Sequence, residues 1–237
     1  MSLMRLAASA ALKEKRLAAL RADAGAAGDA AAHQAVQDAQ LLGSLELAGC
    51  DFSWNDVQAV RAGSGASDTI VRLRDALDLA QGDAPFSVGL LRGWHEVLAG
   101  PVGLRRGERP RAGGPPAAPP ALIESRLINL ESWLNTDASG ELQPARAGAL
   151  VLARLVEILP FDDGNGRVAR LAATHVMRRA GSRPPILCGA DRQRLEAALQ
   201  AAFQLDTEPL AELLEEAAER SLDVMLQVLG SPGPLEA

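Results

Sequence analysis

An all-α fold is predicted by three features of the chain: an excess of helix formers, a shortage of strand formers, and helix start and stop signals along its whole length. Aromatic residues make up only 3% of the sequence and tyrosine is absent, while Ala, Leu and Arg are abundant. Strands draw on β-branched and aromatic side chains, whereas Ala, Leu and Arg rank among the best helix formers. The 237 residues are 48% hydrophobic and 23% charged. That balance belongs to an ordinary globular protein, and the length allows one well-buried core.

The elements follow in order. Residues 5–42 are rich in Ala, Leu, Glu and Lys and suit one or two helices, with Gly25 and Gly28 marking a break. After a turn at Asp51-Phe52-Ser53, Ser53 is placed to cap a new helix, with Asp56 in its first turn. Over 68–80, Ile70, Leu73, Leu77 and Leu79 fall near one helical stripe. Ser87 opens a helix over 88–99. Residues 101–120 break the pattern: Pro110, Pro115, Pro116, Pro119 and Pro120 stand among Gly103, Gly107, Gly113 and Gly114, a loop by composition. Helices resume over 121–135, 144–158 and 166–180, the last stopped by Gly181 and Pro184-Pro185. Asp191 opens another to about 204, and Glu208-Pro209 a final one to about 229. No internal repeat is found.

The net charge of −6 argues against general nucleic-acid binding, which needs a basic footprint. Cys50 and Cys188 are too few for a disulfide framework or a cysteine zinc site, so a reducing, cytoplasmic setting is expected. No apolar run is long enough to span a membrane. Lys13, Lys15 and Arg16 have no apolar run after them, so a secretory signal is not expected. Met1-Ser2-Leu3 ahead of a second methionine, Met4, reads as an expression scar and carries no argument.

The most informative stretch is Leu159-Pro160-Phe161-Asp162-Asp163-Gly164-Asn165-Gly166-Arg167-Val168-Ala169-Arg170. Two helices joined by a Gly-Asn-Gly turn present unpaired N–H groups and a positive helix end. Glycines there let an anion approach the backbone. Arg167 and Arg170, three apart, lie on one helix face and can fork around a phosphate. Asp163 is a hard oxygen ligand suited to Mg²⁺ held by phosphates. A plain helix corner, with Asn165 as cap and solvated arginines, would explain a lone Gly-x-Gly. It does not explain this many residue types at fixed spacing.

The stretch resembles the signature of the Fic family, His-Pro-Phe-x-Asp-Gly-Asn-Gly-Arg-x-x-Arg, at every fixed position except the first. Weaker similarity extends over roughly 35–225. It takes in Leu90–Leu98 with its Leu-His pair, Leu130–Asn135 ending in Trp-Leu-Asn, and Arg183–Leu187 followed by Asp191-Arg192. The resemblance implies a Fic-type helical core with flanking N- and C-terminal helices. It divides the chain into N-terminal helices (1–60), the core (61–205) and a C-terminal helix and tail (206–237). It also implies transfer of AMP from ATP to a Ser, Thr or Tyr hydroxyl of a protein target. Gly164, Asn165, Gly166, Arg167 and Arg170 then hold the nucleotide phosphates, and Asp163 holds Mg²⁺.

Three departures qualify the activity. Leu159 stands where the family places its catalytic histidine and cannot accept a proton, a role worth roughly 10²–10⁴-fold. His175 lies about 13 Å further along the helix at ~1.5 Å per residue and faces elsewhere. His95 matches a core position, and His33 has no motif around it. Second, Ser44-Leu45-Glu46-Leu47-Ala48-Gly49 resembles the family's self-inhibiting pattern, Ser/Thr-x-x-x-Glu-Gly/Asn, with Ala48 in the glutamate slot. Glu46 lies on a different helix face. Ser44, Ala48 and Gly49 are thus expected to be a relic of that motif, and Arg170 is expected to lack its usual internal partner. Third, the family's β-hairpin flap, which docks a target by strand addition, falls in 101–120, where prolines remove backbone donors. At most a vestigial flap is expected. The leading expectation is an impaired Fic-type enzyme that still binds nucleotide, with ATP and Mg²⁺ as ligands and an unidentified protein target. An active nucleotidyl- or phosphotransferase without the histidine, and an interaction module with an idle nucleotide site, stand as alternatives.

Overall fold

The computed structural model describes residues 3–65, 67–101, 103–110 and 115–230, with side chains from Ser9 onward. Helix ends are set by local chemistry. Ser53 accepts a hydrogen bond from the Asp56 backbone while Asp56 accepts one from the Ser53 N–H at 2.7 Å, a reciprocal cap that starts α2 (Trp54–Arg61). The Ser87 hydroxyl accepts from the Leu90 N–H at 3.1 Å and starts α4 (Val88–Ala99). Proline opens α5 (Pro120–Leu134) and α7 (Pro144–Ile158), where its missing N–H is no loss. The remaining helices are α1 (Leu3–Leu47), α3 (Asp68–Ala80), the single turn α6 (Asp137–Gly140), α8 (Asn165–Arg179), α9 (Arg192–Phe203) and α10 (Glu208–Gly230). A 3₁₀ turn at Gly189–Asp191 leads into α9. Among the described residues there is no strand.

The break predicted in the N-terminal region falls at Gly25, whose φ of 66° divides α1 into two helices; Gly28 stays helical. Leu17 from the first half of α1 and Ala32 and Val36 from the second pack with Ile186 and with Leu222 and Met225 of α10 in a small core. The second half also contributes Leu41 and Leu45 to the main core, built around α7 and α8. Those two helices approach closely because small residues face each other. A Cβ on Gly148 would stand 2.7 Å from the Met177 Cγ. Of the stripe expected in α3, Ile70, Leu73 and Leu77 are buried but Leu79 is 54% exposed. Two residues past Leu77 is a rotation of about 200°, which carries Leu79 to the far face. Where the resemblance expects a hairpin, residues 103–110 and 115–119 form an irregular strap with no ladder; Val102 and residues 111–114 lie outside the described residues.

Gly43 fixes where α1 sits. A Cβ there would stand 1.9 Å from the Leu187 carbonyl oxygen, so only glycine lets α1 press onto the 187–188 backbone. Gly43→Ala should therefore lower stability by about 1–3 kcal/mol in urea unfolding, the usual range for overpacking. Gly93, inside α4, has open space where a Cβ would stand, with nothing within 4 Å. Gly93→Ala should instead raise stability, by up to ~1 kcal/mol, through helix propensity.

Candidate functional site

Helix α7 ends at Leu159, which adopts a left-handed conformation (φ 48°, ψ 66°). That conformation is rare for a branched side chain and needs support from its surroundings. From there the chain turns through Pro160–Gly164 and enters α8. A turn this tight exposes a run of carbonyls, and each has a donor. Ile158 and Leu159 accept from the Arg105 guanidinium at 3.3 and 2.6 Å. Pro160 accepts from the Arg105 backbone N–H at 2.9 Å. Phe161 accepts from the Asn165 side-chain amide at 2.7 Å, and the Phe161 N–H donates back to Asn165 Oδ1 at 2.9 Å. Asp162 accepts from Arg109. Asp163 accepts from His95 Nε2 at 3.0 Å, and Gly164 from the Val168 N–H at 3.0 Å.

With those carbonyls held, the α8 N-terminus is left as a donor surface. Val168 makes the first bond of the helix, so the N–H groups of Asn165, Gly166 and Arg167 have no partner within it. Gly164, at φ 77°, makes the entry possible. These residues line a cleft of about 510 Å³ together with Leu47, Ala48, Cys50, Thr69, Arg109, Leu159, Asp163 and Arg170. Its volume is that of a small-molecule site.

The two motif arginines are held differently. Arg167 reaches Asp163 at 3.3 Å, across a pair whose carboxylate is 85% exposed, so the link is weak and easily exchanged. Arg170 donates to the Ser44 hydroxyl at 3.1 and 3.0 Å and to the Ser44 carbonyl at 2.8 Å. Its partner inside the chain is thus a neutral one, Ser44, and no carboxylate pairs with it among the described residues. Burial, with Arg167 and Arg192 nearby, pushes its pKa down to about 10, still charged at neutral pH. Ala48 is exposed and lines the cleft, while Glu46 accepts from the Gly189 N–H at 2.6 Å and faces away. Ser44 and Ala48 thus both lie against the motif.

Residues 85–177 match the Fic/DOC family. They form a Fic domain. A protein adenylyltransferase Fic from Culex quinquefasciatus is 35% identical over 121 residues, which is 50% of this chain and 24% of that relative. The chain thus spans about a quarter of the length of the curated relatives it matches. Among solved structures, Fic-1 from C. elegans superposes with a TM-score of 0.77 at 19% identity, covering 93% of this chain and 71% of that one. A Fic domain containing signaling protein from Bacteroides thetaiotaomicron gives 0.79 at 18%, covering 97% and 100%. At such identity these superpositions show the fold alone.

The stretch that matches the family begins beyond α1 and does not include Ser44–Gly49. Asn165 is positioned by its own side chain. Its side chain is spent on Phe161, which leaves its backbone N–H for a ligand. Arg105, Arg109 and Thr69 are not singled out by the sequence; an arginine in a Gly/Pro-rich loop carries no spacing signal. Asp163 is the one carboxylate lining the cleft, and the described residues hold no cluster of three metal-ligating side chains. That donor set fits Mg²⁺ carried in on phosphates, which keeps several waters and takes one or two carboxylates.

His95 is 1% exposed and stacks on Phe161 at 3.7 Å. It donates through Nε2, so its buried Nδ1 is the acceptor and has no donor. Burial pushes its pKa below 6.5, and the same holds for His175, whose Nδ1 and Nε2 face the Ala80 and Ala84 carbonyls. A histidine depressed in the fold takes up its proton first in the unfolded chain. Stability should thus fall as pH drops from about 6.5 through the folded values. NMR titration should find both rings titrating below 6.5, with the thermal midpoint declining as pH falls through that range.

Proposed function

We propose that this Fic domain binds a nucleoside polyphosphate without transferring AMP efficiently, and acts through that binding. The observation that carries the reading is the combination at one turn: a fully braced donor surface for phosphate, beside a leucine where a proton acceptor is needed. Leu159 lines the cleft, yet its side chain offers no lone pair. Neither buried histidine can replace it, since His95 and His175 are each 1% exposed. The relatives named protein adenylyltransferase support ATP as the ligand and a protein as the partner.

In this reading the N–H groups of Asn165–Arg167 and the guanidinium groups of Arg167 and Arg170 hold the phosphates. Asp163 would hold Mg²⁺, which when bound neutralises phosphate charge. Positioning and charge stabilisation supply most of phosphoryl-type catalysis, so loss of the base weakens turnover while leaving affinity. Unpaired Cys50 and Cys188 suit a reducing compartment such as the cytoplasm.

Calorimetry with ATP and Mg²⁺ should give saturable binding, while a labelled-ATP assay shows little or no transfer to the protein or to a lysate. Absence of binding, or robust transfer that survives Arg167→Ala, would overturn the proposal. Ala48→Glu should weaken ATP binding roughly tenfold by giving Arg170 an internal carboxylate. Unchanged affinity would rule out that competition.

A further inference from the structure

We infer that Arg109, on the strap between α4 and α5, is a phosphate-binding residue that makes the cleft prefer a polyphosphate chain over a single phosphate. The inference rests on the nucleotide-binding reading of the same cleft.

Arg109 lines the cleft with the motif, although it lies far from it in sequence. Its guanidinium donates to the carbonyl of Asp162. Among the described residues no carboxylate pairs with it. One N–H direction is thus used to fix the side chain, and the rest of its fork remains free for an acceptor. Arg105 explains why it stays there. Buried to 2% exposure, Arg105 ties the strap to the end of α7 through Leu159, to the neighbouring Gly107, and to the strap's far end through Ala118.

The placement of the cations decides the ligand class. Arg109 sits at Asp162, on the entry side of the turn. Arg170 sits on the other side, against Ser44, where a Cβ on Gly166 would meet its guanidinium at 3.3 Å. Arg167 and the open N–H groups lie between them. A single phosphate at the helix N-terminus reaches the middle of this row. A chain of phosphates spans it, so that each added group meets another donor. Among the described residues Asp163 is the one carboxylate lining the cleft, facing Arg167 at 3.3 Å, and the excess of guanidinium charge favours the more highly charged ligand.

The test compares AMP, ADP, ATP and inorganic triphosphate on the full chain by calorimetry, with Arg109→Ala and Arg109→Lys beside the unaltered protein. Affinity should rise with phosphate number. Arg109→Ala should weaken ATP and triphosphate about tenfold, the lower end for a hydrogen bond to a charged group. It should leave AMP within about twofold, and Arg109→Lys should restore part of the loss. Arg109 is exposed, so circular dichroism should show an unchanged fold. If ATP binds but Arg109→Ala leaves it unaffected, or weakens AMP equally, the inference fails and the nucleotide reading stands. If no nucleotide binds the unaltered protein, both fail.

Discussion

The site depends on one constraint: every backbone carbonyl from Ile158 to Gly164 is engaged by a donor. Arg105, Asn165, Arg109, His95 and the α8 backbone divide that work among elements distant in sequence. A buried carbonyl left unpaired is costly, so these donors fix the course of the turn. They also decide what the turn offers. Once the oxygens are bound, the open N–H groups of α8 remain as the turn's free polar surface, and an anion is their natural complement. None of this support involves the side chain of Leu159. The donor surface of the turn therefore does not depend on which side chain stands at position 159.

The rest of the fold serves this turn. Close packing of α7 against α8, allowed by Gly148 and the alanines around it, sets the two helices that the turn joins. Gly43 lets α1 reach the 187–188 backbone, which brings the adjacent residue, Ser44, onto Arg170 of α8. Arg192 adds to the link by donating to the carbonyls of Glu46 and Leu47 at the end of α1. The result is an arginine held in place by a hydroxyl and a carbonyl. Such partners orient a cation without neutralising it, so its charge remains available to the cleft.

Much of this is legible in the sequence, because helix boundaries are local. Ser53, Ser87, Pro144 and Gly181 each act within a few residues, and the helices they bound fall where the spacing places them. The motif is equally legible, since its chemistry lies in consecutive residues. The long-range bracing is not. Nothing near Arg105 or Arg109 tells that one is buried among carbonyls and the other reaches the cleft. Motif spacing places Asn165 at the turn but does not show that its side chain bonds Phe161, because spacing shows proximity and not hydrogen-bond partners. Periodicity puts Leu79 inside because a short stripe tolerates an error of half a turn. For Arg170, the alanine at position 48 is visible in the sequence and the Ser44 contact is not.

The central claim is that the turn is a preformed anion receptor despite the leucine at its base. The most direct measurement is an amide NMR titration with pyrophosphate. The N–H resonances of Asn165, Gly166 and Arg167 should shift in a saturable way, while those of the braced residues Phe161 and Val168 move little. Shifts spread over the surface, or a turn whose amides do not respond while the ligand binds elsewhere, would contradict it.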